Sequence, residues 1–356
     1  MQRESKNFLM SLLTTPSPSG HESAAQKLWC DYVRDAADDV KTDAYGNAVA
    51  VVKGSGGPKI LLDGHMDEIG MMVKHIDDKG FVYIQRIGGV NAALCSGKRV
   101  NIHAAKGIVR GVIGATAIHL IDKDKDQKPP KWHELFIDIG VKDGKAARKR
   151  IAVGDAVTFV DDFEQLDRNI AIARAFDNRI GCFLIAEVLR KVAAGRRKPT
   201  CSLYACSSVQ EETGCNGAQM NVANVKPDVA IAVEVTHATD TPGIDAKKHG
   251  EVTMGDGPTV SIGREHHPVV VRRLRDVAEA KNIDYQVETF SLTGGTDAYV
   301  MWNKIGGVPA ALISIPTRYM HSTVEMVDLR DLAKGIDWLA EFVLDVKKGE
   351  SFKIKV

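Results

Sequence analysis

The 356-residue chain lacks the features that mark several large protein classes. It carries 47 Lys plus Arg against 46 Asp plus Glu, a net charge of +1. Without a basic excess to neutralise a phosphate backbone, no nucleic-acid partner is expected. Apolar runs such as Val229 to Val233 end after a handful of residues, far below the ~20 that cross a bilayer, so no membrane partner is expected either. The N-terminal stretch holds one short apolar patch, Phe8 to Leu13, followed by two prolines, and lacks the longer apolar region and small-residue cleavage site of a signal peptide. A cytoplasmic location is the expectation. The six cysteines are scattered, with no C-x-x-C pair, which excludes a stapled fold and leaves reduced thiols.

Several mechanistic motifs are also missing. The one P-loop candidate, Ala92 to Arg99, has Ala in place of the first Gly and Arg in place of the hydroxyl residue. A dinucleotide fingerprint starting at Gly54 and Gly56 would need Gly where Lys59 stands. No G-x-S-x-G elbow and no H-E-x-x-H occurs.

What is present reads as an ordinary globular composition, 44% hydrophobic and 26% charged, in a chain long enough for about two domains. Ser19 to Glu22 has the S-x-x-E form of a capping box, and the apolar spacing of Ala25, Leu28, Tyr32 and Ala36 predicts a helix over about 20–38. Strands are expected at Ala48 to Val52 and Ile60 to Leu62, split by a Gly-Ser-Gly-Gly-Pro turn. Over 71–163 short β-type runs alternate with Gly-rich turns, which predicts an inserted small β-barrel-like domain; its charged 122–131 stretch reads as a solvated loop. After 164 helices and strands alternate, including a helix from Asp177 to about Ala194 and strands at Ser202 to Val209, Val229 to Val235 and Pro309 to Ile315. The expected architecture is therefore an α/β fold, a doubly wound mixed sheet with helices on both faces. It is built from 1–70 and 164–356 and interrupted by the 71–163 insert.

Open α/β sheets place ligands at strand ends. The acids and histidines found there are His65 and Asp67 in HMDE, Asp177 in AFDNR, Glu211 and Glu212 in QEETG, Glu234 in VEVTH and His321 in YMHS. Singly each has an ordinary reading: a strand-end carboxylate is commonly a helix cap or a solvated charge, and Asp177 could simply cap its helix. The pair Glu211–Glu212 is sharper, because two acids follow an apolar strand directly. On a regular strand they would point to opposite faces. They can serve one site only if the strand ends there and the chain turns, which Thr213-Gly214 permits. Two His with several carboxylates and no Cys suit hard or borderline divalent ions, and a shared carboxylate suits a two-metal centre. A further carboxylate must then move a proton.

HMDEIG at 65–70, AFDNRIGC at 175–182, QEETG at 210–214, VEVTHATDTPG at 233–243, GGTDAY at 294–299 and IPTRYMHS at 315–322 resemble, in order, the motif series of metallopeptidase family 42, the glutamyl aminopeptidase-like or tetrahedral (TET) aminopeptidases. The resemblance spans nearly the whole chain and includes GGVNAALCSGKRV and ELFIDIG of the insert. It implies an aminopeptidase acting on peptides with two divalent ions per subunit, zinc first and cobalt or manganese as alternatives. His65, Asp177 and Glu234 would hold one ion and Asp177, Glu212 and His321 the other, with Glu211 as general base and Asp67 orienting His65. It also implies a homo-oligomer in which the insert joins dimers that build a tetrahedral dodecamer, and a specificity pocket near GGTDAY. One departure is Glu234, where the family usually has Asp. The extra methylene shifts the carboxylate by about one bond length, while metal distances tolerate only ~0.2 Å, so backbone or ion must adjust. Two other functions compete: a glycosidase using an acid pair, since relatives carry endoglucanase labels, and a catalytically silent oligomeric scaffold. A glycosidase needs its carboxyls at least ~5 Å apart across a sugar ring, for which adjacent glutamates are badly placed, and it gives the two His no role.

Overall fold

A computed structural model describes residues 2–120, 128–160, 162–291, 294–304 and 306–356. Three strands open the chain's sheet structure: β1 (Asp39–Thr42), β2 (Ala48–Val52) and β3 (Lys59–His65). Next come β4 (Gly70–Ile76), β5 (Val82–Ile87), β6 (Arg99–Ala104), β7 (Gly107–Ile113), β8 (Phe136–Asp138) and β9 (Ala156–Phe159), which close into a barrel in the order β4-β5-β8-β7-β6-β9. The remaining strands are β10 (Glu164–Gln165), β11 (Ile170–Ala173), β12 (Ser202–Ser208), β13 (Val229–His237), β14 (Thr259–Gly263), β15 (Gln286–Phe290), β16 (Ala310–Arg318) and β17 (Glu325–Asp328). With β1 to β3 they form an 11-stranded mixed sheet. Residues 122–127 of the charged stretch in the insert lie outside the described residues.

At the middle of the large sheet β12, β3, β13 and β16 run parallel, in that order. Parallel strands covered on both faces read as continuous apolar runs, and successive side chains divide between the two faces. Ile60 and Leu62 of β3, with Val229, Ile231 and Val233 of β13, join the core under the helices Arg3–Thr14, Ser23–Val33, Phe176–Ala194, Pro268–Lys281 and Leu329–Asp345. Leu61, Ala230 and Ala232 join a second core under the helices Asn216–Val225 and Asp297–Met301. The barrel has its own core, which includes Met71, Val82, Ile102 and Ile137.

Two glycines set how closely the Phe176–Ala194 helix approaches the sheet. A Cβ on Gly64 would lie 2.7 Å from the backbone carbon of Gly181, and one on Gly181 would lie 2.3 Å from the carbonyl oxygen of Val233. Only glycine fits at such contacts. The start of this helix is thereby pressed onto the ends of β3 and β13.

The N-terminus differs from expectation in two ways. Arg3–Thr14 is a helix, with Phe8, Leu9, Leu12 and Leu13 buried along one stripe. The following helix begins only at Ser23 and ends at Val33, and Ser19 does not cap it. Ser19 and Glu22 are drawn elsewhere.

Candidate metal centre

The carboxyl ends of the central parallel strands bring the seven sequence-selected residues into one cluster. His65 ends β3 and is buried. Its Nδ1 lies 3.2 Å from the carbonyl oxygen of Asp67 and 3.4 Å from Oδ1 of the same residue. Nε2 lies 3.2 Å from Asp177 Oδ1, 3.5 Å from Glu234 Oε2 and 3.6 Å from Glu211 Oε2. On the other side, His321 Nε2 is 3.2 Å from Asp177 Oδ2 and 3.3 Å from Glu212 Oε1. Asp177 turns its two oxygens to two histidines and does not cap its helix.

The paired glutamates reach the cluster because β12 stops at Ser208 and Gln210 adopts a left-handed conformation, φ 59°. The turn closes when the N–H groups of Gly214 and Cys215 donate to the carbonyl of Glu211, at 2.8 and 2.9 Å. Asp67 fixes the same turn by accepting the N–H of Glu211 at 2.9 Å and that of Glu212 at 3.1 Å. Ser19 Oγ donates to Asp67 Oδ2 at 2.6 Å, and Glu22 accepts the N–H groups of Gly20 and Gln210. The apparent capping box therefore supports the cluster. Glu234 has both oxygens engaged: Oε2 accepts from Asn178 Nδ2 at 2.6 Å and Oε1 from the Asp297 N–H at 3.3 Å. The N–H of Asp297 comes from GGTDAY, so that stretch abuts the cluster. The barrel reaches it too, because a Cβ on Gly89 would lie 2.5 Å from His321 Nδ1 and one on Gly88 3.0 Å from Glu212 Oε2.

Glu325 was not expected from the sequence. Buried in β17, it accepts the N–H of Asp177 at 3.0 Å on one oxygen and the N–H of His321 at 2.9 Å on the other. It thus holds the backbones of two cluster residues 144 apart in sequence (321 − 177). A lone Glu in TVEMVD carries no spacing signal that would reveal this.

The electrostatics call for cations. Burial pushes Glu211 and Glu234 well above the ordinary carboxyl range, and neighbouring carboxylates, Asp297 and Asp177 among them, add to the effect. Burial opposes charge on His65, yet Glu211, Glu234, Asp177 and Asp67 push it well above its ordinary value. Asp177 and Glu212 push His321 up to about 11. Burial works against ionisation of Asp177 as well, but the two His hold it well below the usual range. Around Nε2 of His65 stand oxygens of three carboxyl groups, those of Asp177, Glu211 and Glu234, more negative charge than one imidazole balances. Glu212 Oε1 is buried and has His321 Nε2 at 3.3 Å, outside good hydrogen-bond geometry. Divalent ions answer both deficits, and His with carboxylate donors suit borderline ions. Ligand atoms of His65, Glu211 and Glu234 lie within 4.8 Å of one another, as do those of Asp177, Glu212 and His321. The second set is the one the resemblance implies; the first holds Glu211 where the resemblance implies Asp177, and the donors of both suit divalent ions.

Residues 46–337 match the family described as M42 glutamyl aminopeptidase. The lysyl aminopeptidase of Pyrococcus furiosus is 33% identical over 348 residues, 97% of this chain and 98% of that protein. The TET aminopeptidase of a marine-sediment Thaumarchaeota archaeon superposes with a TM-score of 0.92 at 31% identity, over 96% of each chain. The TET1 peptidase of Pyrococcus horikoshii, which can assemble into a tetrahedron or a large octahedral shell, superposes with a TM-score of 0.85 at 28% identity, over 96% of this chain and 99% of that one. No helix among the described residues is long and apolar enough to cross a membrane.

Proposed function

Since the chain belongs to the M42 glutamyl aminopeptidase family and is a metal-dependent aminopeptidase, we propose that it works with two divalent ions per subunit, zinc first and cobalt or manganese as alternatives. The observation that carries this reading is the division of Asp177, one oxygen toward His65 and the other toward His321. His65, Asp177 and Glu234 would hold one ion, and Asp177, Glu212 and His321 the other. Asp67, which accepts two backbone N–H groups and faces His65 Nδ1, orients the imidazole and the glutamate turn. When bound, such ions would lower the pKa of a water molecule and polarise the scissile carbonyl.

Glu211 acts as the general base. Its Oε2 faces His65 and the cation pocket, and its raised proton affinity suits a group that takes a proton from water and returns it to the leaving amine. The pocket for the N-terminal side chain lies beside Gly294 to Tyr299, next to Glu234. A glycosidase would have no use for two imidazoles converging on one carboxylate. Prolonged chelation should abolish hydrolysis of amino-acid p-nitroanilides, and zinc, cobalt or manganese should restore it, with no turnover of carboxymethylcellulose. Full activity in demonstrably metal-free protein would refute the reading.

The same family background leads us to place the chain in a homo-oligomer, dimers joined through the barrel and assembled into a tetrahedral dodecamer. The barrel supports a self-contacting surface: Ile108 and Val112 of β7 are 59% and 47% exposed, and Val153 is 64% exposed. A stable species near 38.7 kDa in light scattering at micromolar concentration would overturn this. A cytoplasmic location accords with six free, buried cysteines.

A further inference from the structure

Cys215 directly follows the turn that presents Glu211 and Glu212, in a left-handed conformation with φ 55°. Its thiol donates a hydrogen bond to Glu211 Oε1, Sγ to oxygen 3.4 Å, the oxygen other than the one that faces His65. One ligand atom each from Glu211, Cys215 and Asp297 falls within 4.8 Å of the other two. An ion bound to sulfur at about 2.3 Å and to oxygen at about 2.1 Å with tetrahedral angles sets those two atoms about 3.6 Å apart. The sulfur–oxygen spacing of 3.4 Å is already close to that value.

Asp297 supplies an independent observation. It is fully buried beside the Asp63 carboxyl, with which it shares the Ser208 hydroxyl; Oδ2 accepts from Ser208 Oγ at 3.1 Å, while Oδ1 meets no donor. A buried carboxylate oxygen left unpaired is costly unless a positive group meets it. Neither half of the centre described above uses this oxygen.

We propose that Cys215, Glu211 and Asp297 form a further cation site, selective for soft divalent ions such as cadmium or excess zinc, and that its occupation takes Glu211 out of proton transfer. The thiol sets the selectivity, because hard ions prefer oxygen donors and thiolate favours soft ones. On binding, the S–H bond breaks, a sulfur–metal bond forms and the proton leaves to solvent; no electron changes hands. A Glu211 carboxylate held by the ion is a poor proton acceptor. This inhibitory step rests on the reading of Glu211 as the base.

The test uses the assembled enzyme loaded with manganese and titrated with cadmium, following thiolate-to-cadmium charge-transfer absorbance beside inhibition. The band should saturate at one further equivalent in the wild type and be absent in Cys215→Ser and in Cys215→Ala, which offers no donor atom. Relative to its own uninhibited rate, each variant should need at least about 10-fold more cadmium for half inhibition. No band in the wild type, or a band retained in both variants, overturns the site. A band lost with unchanged inhibition overturns the inhibitory step. Absorbance is read without turnover, so these outcomes are separate from kinetics that test Glu211 as the base.

Discussion

His65 and His321 sit on opposite oxygens of one carboxylate, with Asp177 Oδ1 3.2 Å from one Nε2 and Oδ2 3.2 Å from the other. A residue placed between two donor groups serves both, whereas each histidine serves one. Asp177→Asn should therefore weaken cation binding at both positions, by at least the ~10 to 100-fold that follows loss of a supporting partner. His321→Ala should release one ion and keep the other. Elemental analysis after dialysis against metal-free buffer distinguishes the two; an Asp177→Asn protein with a full complement of ions would refute the shared role.

The neighbouring glutamates should behave differently from each other. Glu211→Gln keeps the shape and removes the proton acceptor, so kcat should fall by ~10² to 10⁴ with both ions bound. Glu212→Gln alters the oxygen that faces His321 and should lower the occupancy of one ion. Metal content measured beside kinetics decides the matter. Loss of an ion in Glu211→Gln with full occupancy in Glu212→Gln would exchange the two roles, and unchanged turnover in both would remove the pair from the chemistry.

The features that were legible in sequence are those written in local periodicity or in clustered chemistry. Ala48 to Val52 is a strand with the bounds expected, and the apolar run at Val229 to Val235 is the buried centre of β13. Glu211 and Glu212 stood out because adjacent acids after an apolar strand need a reason. Glu325 did not, because its role consists of accepting two N–H groups from distant segments, a relation that exists only once the chain is folded. Ser19 and Glu22 show the converse. Their spacing matches a capping box, but Asp67 and the Gln210 N–H compete successfully for those side chains, and the helix starts without them. The helix that carries the short stripe Phe8 to Leu13 gains stability from packing on the Phe176–Ala194 helix rather than from its own length.

Behind the cluster, Glu68 is buried between Arg174 and Arg179. Arg179 also donates to the carbonyls of Leu12 and Leu13, at 2.6 and 3.0 Å, tying the end of the first helix to the segment that carries Asp67. Burial pushes the Glu68 carboxyl up, but the two guanidinium groups outweigh it and hold it below its ordinary value of 4.5. Its contribution to stability is thus fully present above about pH 4.5 and is lost as pH falls through the lower folded value. Glu68→Gln leaves buried arginines uncompensated and should cost about 3–5 kcal/mol at neutral pH. The gap in Tm between wild type and variant should narrow below pH 4.5; a gap constant from pH 7 to pH 3 would contradict the assignment.

Gly64 tests the packing that brings the two sides of the cluster together. A methyl group there would lie 2.7 Å from the carbon of Gly181 and 2.8 Å from the nitrogen of Cys182. Both are backbone atoms and cannot swing aside, so the helix must move away from β3. Overpacking of this kind costs about 1–3 kcal/mol, which lowers Tm by several degrees. The helix carries Asp177 and the strand carries His65, so the same displacement lengthens the His65–Asp177 separation, and Gly64→Ala should bind ions more weakly as well as melt earlier. Gly114→Ala is the control, because its new methyl would meet nothing nearer than Phe136 at 3.8 Å and the residue does not need a positive φ. Thermal melts and metal titrations of the two variants side by side give the answer. Should Gly64→Ala prove as stable and as fully metallated as Gly114→Ala, the close approach of helix to strand is not what sets the distance between the two cluster halves.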